Sequence, residues 1–108
     1  MAKYFVMGNY TAKAFQGFIK DPKQDRSAAV KALTESAGGK LESFAITRGQ
    51  YDFYAVTSGD MPFEHLAGVK LAVEASGTVE NMIILEEMDM NKAAEQAAKS
   101  MSGYKPAG

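Results

Sequence analysis

The sequence contains no cysteine, and this absence excludes several kinds of site at once. Disulfide bridges, thiolate zinc sites, iron–sulfur clusters and a cysteine nucleophile all need the missing thiol. His65 is the one histidine, and its neighbour Glu64 would point away from it on a helix, so the two make no metal motif. We therefore predict no metal site and no tightly held cofactor.

Long apolar runs and an excess of positive charge are also lacking. No run approaches the roughly 20 apolar residues of a membrane span, and the first residues lack the apolar core of a signal peptide. The formal net charge is −1, whereas a protein that binds nucleic acid needs a basic surface to displace counterions. We expect a cytoplasmic protein that binds neither membrane nor nucleic acid.

What is present is typical of one small globular domain. The chain has 108 residues, of which 46% are hydrophobic and 23% charged. Four segments have the aromatic and β-branched composition of strands: Lys3–Tyr10, Lys40–Arg48, Tyr51–Thr57 and Thr78–Met88. Gly49-Gln50 predicts a two-residue hairpin turn between the second and third strands, because glycine in first position suits a type II′ turn.

Helical patterns separate these strands, and a further one follows them. The predicted N-caps are Thr11, Asp21 and Asp60, and an alanine-rich helical pattern runs from Asp89 onward. Asp21, Pro22 and Gln24 have the spacing of a capping box, which predicts that a second helix begins there after a short first one. Gly38-Gly39 ends that second helix. We divide the chain into a domain over residues 1–88 and a C-terminal helix and tail over residues 89–108.

The order strand, helix, strand, strand, helix, strand predicts an α+β, ferredoxin-like βαββαβ sandwich with its helices on one face of an antiparallel sheet. The other face should then be polar, but these strands are apolar on both sides. In the last strand, one face is predicted to carry Val79, Ile83 and Leu85, and the opposite face Met82, Ile84 and Met88. The alanine-rich C-terminal helix is one candidate cover; we expect instead a second copy of the chain, as a homodimer or higher homo-oligomer.

Three short segments resemble the GYD-domain family, which is named for its Gly-Tyr-Asp signature. They are Gly49-Gln50-Tyr51-Asp52, Ile19-Lys20-Asp21-Pro22 with Arg26, and Gly38-Gly39-Lys40-Leu41 with Phe44. The resemblance implies a ferredoxin-like fold of the dimeric α/β-barrel type, here with an extra C-terminal helix. It implies little about activity. The run Gly77-Thr78-Val79-Glu80-Asn81 departs from the family pattern, so no anion-binding arginine is implied there.

Three residues are candidates for catalysis. Asp52 and Tyr51 lie on opposite faces of the third strand, and Asp52 in a cleft could act as a base or hydrogen-bond acceptor. Alternatively, Asp52 accepts hydrogen bonds from nearby backbone or pairs with Arg48, while Tyr51 packs structurally. His65 could be a general base or an axial haem ligand, and the alternative is a solvated residue at the edge of the helix's buried stripe.

A second set could bind a ligand near the break between the first two helices. Its members are Arg48, Lys20, Tyr10 and Tyr54, with Arg26 beside them. Surface ion pairs and helix capping are the alternative explanation.

Two functions remain open, and neither establishes that the protein is an enzyme. The first is a homo-oligomer that binds or transforms a small apolar or aromatic molecule between helices and sheet. The second is a non-catalytic oligomerisation or interaction module. A cavity of roughly 300–1,000 Å3 favours the first, and a filled core with Asp52 bonded to backbone favours the second.

Overall fold

The computed structural model describes residues 2–108, so Met1 of the predicted domain lies outside the described residues. Over these described residues the fold is α+β, with a four-stranded antiparallel sheet and four helices. The elements are β1 (Lys3–Tyr10), α1 (Ala12–Lys20), α2 (Arg26–Ser36), β2 (Lys40–Ile46), β3 (Phe53–Ser58), α3 (Phe63–Ala75), β4 (Val79–Glu86) and α4 (Met90–Gly103). The strand order β2-β3-β1-β4 is compatible with a ferredoxin-like fold.

The sheet is organised around β1, which pairs antiparallel with both β3 and β4. Successive side chains of a strand point to opposite faces. In β1, Tyr4 and Tyr10 are buried in the two core clusters beneath the helices. Phe5 and Met7 point the other way. We call the side away from the helices the open face; its apolar residues are Phe5, Met7, Ala45, Tyr54, Val56, Ile83 and Leu85.

The break between α1 and α2 differs from the sequence prediction. Thr11 caps α1 as predicted, by accepting a hydrogen bond from the Ala14 N–H. The predicted capping box at Asp21 is wrong, because α2 begins only at Arg26 and its N-cap is Asp25, which accepts from the Ala28 N–H at 3.2 Å. Gln24 instead donates its side-chain amide to the Gly17 carbonyl at 3.2 Å, which satisfies an acceptor at the end of α1.

Two turns also differ from their predictions. The two-residue hairpin at Gly49-Gln50 is wrong: the Thr47 N–H donates to the Asp52 carbonyl at 2.7 Å, and four residues lie between them. The Thr47 hydroxyl adds a 2.6 Å bond to the Tyr51 carbonyl, which holds this longer loop closed. The predicted cap at Asp60 is wrong as well, because α3 begins after Pro62 without a side-chain cap.

A β-bulge in β4 changes which side chains of that strand face the core, so the predicted faces of β4 are partly wrong. Met7 pairs with Ile83 and Asn9 with Glu80, so β4 has one more residue than β1 over this stretch. Asn81 in the bulge has a φ of +55°, a conformation that asparagine tolerates better than most residues. The bulge turns Val79 into the core beside Met82, so its predicted place with Ile83 and Leu85 is wrong.

The C-terminal helix α4 leaves the open face uncovered. Every residue of α4 except Ala93 is exposed. The radius of gyration is 17.9 Å, against about 13 Å for a compact chain of this length, and the longest dimension is 60 Å. The alternative in which α4 covers the sheet within one chain is therefore not what the structure shows.

None of the helices in residues 2–108 combines the length and apolarity that a membrane span needs.

Two glycines provide a test of this packing. A Cβ on Gly8 would lie 2.9 Å from the ring of Phe53, which is buried, whereas a Cβ on Gly17 in α1 would meet nothing within 4 Å. We expect Gly8→Ala to lower the free energy of unfolding by about 1–3 kcal/mol through overpacking. Gly17→Ala should raise it by about 0.5–1 kcal/mol, because alanine favours a helix interior. Urea unfolding measures both; equal effects would contradict the packing described.

Candidate functional site

An almost wholly apolar cavity of about 110 Å3 lies between the sheet and the helices α2 and α3. Val30 and Leu33 line it from α2, Val69 and Val73 from α3, and Phe53 is among the strand residues beneath. Protein interiors are normally close-packed. In residues 2–108, however, no large side chain is buried to less than 2% exposure. The cavity exists because the helices do not close fully onto the sheet.

Only four residues bring side-chain polar atoms to the cavity wall: Tyr10, Arg26, Thr34 and Thr57. Thr34 donates its hydroxyl to the Val30 carbonyl at 2.8 Å, so it is already satisfied. Arg26, the first residue of α2, is half-buried and is the one charged residue in this lining. Its Nη1 donates to the Gln24 Oε1 at 3.4 Å.

Tyr10 lies at the end of β1, where its ring separates the cavity from α1. The ring packs edge-on against Phe18 with 5.1 Å between centroids, and lies 5.2 Å from the ring of Phe53. Burial raises the pKa of the Tyr10 hydroxyl above its usual 10.0, and the nearby Arg26 guanidinium opposes that rise. The hydroxyl therefore stays protonated at neutral pH and is a hydrogen-bond donor there.

Asp52 is outside the cavity lining, but it holds the backbone of Tyr10, which lines the cavity. Its Oδ2 accepts the Tyr10 N–H at 2.9 Å and the Asn9 side-chain amide at 3.4 Å. Its own N–H donates to the Gly8 carbonyl at 2.8 Å. The carboxylate thus extends the pairing of β1 with β3 beyond the end of the strand, and it sets the position of Tyr10. A catalytic role for Asp52 stays a prediction.

The other two catalytic candidates lie in different places. Tyr51 is half-buried in an open surface depression of about 400 Å3 beside Asn9 and Asn81. His65 is exposed near the start of α3, and its Nδ1 lies 3.0 Å from the Ala37 carbonyl oxygen. The structure does not bring Asp52, Tyr51 and His65 together around one space.

The predicted ligand-binding residues are likewise dispersed. Lys20 and Arg48 are exposed, and Tyr54 belongs to the open face, so it lies across the sheet from Tyr10. Of that set only Tyr10 lines the cavity, together with Arg26. The sequence reasoning missed Thr34 and Thr57. Thr34 follows Val30 by four residues on α2, and this helical spacing was the available signal.

Acidic and histidine side chains form no metal site within the part of the chain that the structure describes. No group of three or more of them is placed to hold a metal ion there. The cavity is therefore the candidate site: its lining is almost wholly apolar, and Arg26 is the one charged residue in it.

Comparison with known proteins gives a family and a fold. The family model of the GYD domain matches residues 4–98. A comparison with curated protein sequences gave no match. The fold is similar to a solved structure described as the crystal structure of FFRP-DM1, with a TM-score of 0.51 and 11% sequence identity. The similarity covers 82% of this chain and 100% of that chain, and at this identity it concerns the fold alone.

The role of Asp52 can be tested through stability. We expect Asp52→Ala to lower the free energy of unfolding by about 1–3 kcal/mol, because it leaves the Tyr10 N–H without its acceptor. Asp52→Asn should cost less, since the amide oxygen still accepts. Asp21→Ala removes the same charge from an exposed site and is the control. Urea unfolding measures all three. An Asp52→Ala variant no less stable than the control would show that the hydrogen bond from the Tyr10 N–H to Asp52 does not stabilise the fold.

Proposed function

The chain belongs to the GYD domain family, and we propose that it is a homo-oligomer that binds a small apolar or aromatic molecule in the cavity between its sheet and helices. The single observation that carries the binding proposal is this cavity, with its apolar walls and few polar groups. Ligand sites are commonly built in this way, with a few polar atoms that fix the orientation of an apolar molecule.

The size of the cavity limits the ligand. Its volume of about 110 Å3 is below the roughly 300–1,000 Å3 of common ligand sites. Apolar cavities of about 150 Å3 stay dry and take up benzene or xenon. We therefore propose a ligand on the scale of one aromatic ring or a short aliphatic chain. The exposed Ala29 on the cavity lining marks the side on which α2 meets solvent.

The open face supports the homo-oligomer. Two cross-strand rows of apolar side chains cross it, one centred on Phe5 and the other on Met7. Phe5 lies between Val56 and Leu85, and Met7 between Tyr54 and Ile83. Tyr54 is 39% exposed and Leu85 50% exposed. A second copy stacked sheet to sheet, as in a dimeric α/β barrel, would remove this surface from water.

The proposal concerns binding, and it includes no reaction. Asp52, Tyr51 and His65 are outside the cavity lining. Tyr10 does line it, but its hydroxyl is protonated at neutral pH and so is no base. The non-catalytic interaction module is the second candidate, and the backbone hydrogen bond that Asp52 accepts from Tyr10 favours it.

Benzene is a suitable probe for the cavity. We expect saturable chemical-shift changes in a two-dimensional NMR titration, largest for lining residues such as Val30 and Phe53. Ala55→Leu from β3 and Val69→Phe from α3 should each weaken binding by at least about tenfold, because they occupy the same volume. Ala32→Leu, on an exposed position of α2, should leave it unchanged.

Two results would decide against the ligand proposal. One is folded wild-type protein that shows no saturable shifts, and the other is equal binding by the two cavity variants and the control. Either would favour the interaction module. The variants fill the cavity from opposite walls, so one of them still gives the test if the other fails to fold.

A further inference from the structure

We infer that the ligand of the cavity carries a carboxylate or a similarly small anionic group, and that Arg26 is its counter-ion. This inference rests on the proposed function, because it names the chemical class of the molecule in the same cavity. It starts from a charged side chain whose surroundings lack an opposite charge.

Arg26 is half-buried and has no acidic partner within residues 2–108. The ion pairs of this part of the chain are Lys31–Glu35 and Lys40–Glu42, both on the surface. The neighbouring Asp25 is engaged elsewhere, because its Oδ1 accepts the Ser27 hydroxyl at 2.7 Å and the Ala28 N–H at 3.2 Å. Burying a charge is costly unless it is paired. The guanidinium has five N–H donors; the Gln24 oxygen takes one, and the guanidinium also interacts with the Tyr10 hydroxyl.

On the side away from the apolar cavity, Arg26 has a lysine but no acidic residue beside it. A second depression of about 260 Å3 adjoins it on the side of α1, lined also by Lys13 and Gln24. Neither this depression nor the cavity has an aspartate or glutamate in its lining. Lys13 donates to the Ser76 carbonyl at 3.1 Å, so its position is fixed near the start of α1. Asp52 lies outside both linings, although its charge acts on the Tyr10 hydroxyl and contributes to the raised pKa of Tyr10. A ligand at Arg26 therefore meets the charges of Arg26 and Lys13 with no aspartate or glutamate in the lining of either space.

The remaining geometry selects an anion with an apolar body. The Arg26 guanidinium and the Tyr10 hydroxyl are both donors on the cavity wall, so together they can serve the two oxygens of one carboxylate. Apolar side chains make up nearly all of the remaining lining, and they suit a ring or a short alkyl chain. A small aromatic or aliphatic carboxylate matches both parts, whereas a neutral hydrocarbon would leave the guanidinium unpaired.

Benzoate and benzamide provide the test, because they have nearly the same size and differ in charge. We expect wild-type protein to bind benzoate at least about tenfold more tightly than benzamide in parallel NMR titrations. Arg26→Gln should abolish this preference, so that benzoate binds no more tightly than benzamide. Arg26→Lys should keep part of the preference, because lysine retains the charge but loses the planar donor pair. Lys23→Gln removes an exposed charge from the same inter-helix segment and should keep the whole preference.

The outcomes separate this inference from the proposal on which it rests. If benzene binds but benzoate shows no preference over benzamide, the cavity is a ligand site and the inference is wrong. The inference is also wrong if Arg26→Gln, shown to be folded by its NMR spectrum, keeps the preference. If none of the three probes binds to folded wild-type protein, the proposed function itself is refuted.

Discussion

The sheet is apolar on both faces, whereas the helices of one chain cover only one of them. The covered face forms the core and the cavity, and the open face needs a partner. β1 shows it most directly, since Tyr4 and Tyr10 enter the core clusters while Phe5 and Met7 point away from them. α1, α2 and α3 lie on the first side. α4 is exposed along nearly its whole length and leaves the second side open. An apolar face of four strands in water is unfavourable unless something covers it.

On the helix side, a few local features position the candidate site. Gly8 lets the Phe53 ring lie directly on β1, and the bulge at Asn81 returns Val79 to the core. Asp52 holds the backbone of Tyr10 beyond the end of the β1–β3 pairing. These constraints set the floor of the cavity. The helices above are held mainly by half-buried aliphatic side chains, and the space that they leave gives Arg26 an apolar neighbourhood.

Local sequence patterns were enough to predict most of the helices and strands. Features that depend on contacts between different elements could not be predicted from the sequence. The bounds of β1 and the cap at Thr11 follow from composition and one side chain, so they were predictable. The start of α2 was not, because Gln24 satisfies the end of α1 instead of its own helix. The bulge at Asn81 broke the strict alternation assumed for β4. Arg26 and Tyr10 both line the cavity, whereas Tyr54 and Lys20, which were predicted to lie with them, do not. Sequence spacing does not show which side of a sheet a pocket occupies.

Sedimentation velocity on the wild-type chain and on Val56→Lys tests whether a second copy covers the open face. Val56 pairs with Phe5 on the two central strands, so a lysine there places a charge within the proposed contact. Ile19→Lys makes the same change at a 79% exposed position on α1 and is the control. We predict a dimer or larger homo-oligomer for the wild type and the control, and a folded monomer for Val56→Lys. A monomeric wild type, or a Val56→Lys variant that assembles as well as the wild type, would contradict it.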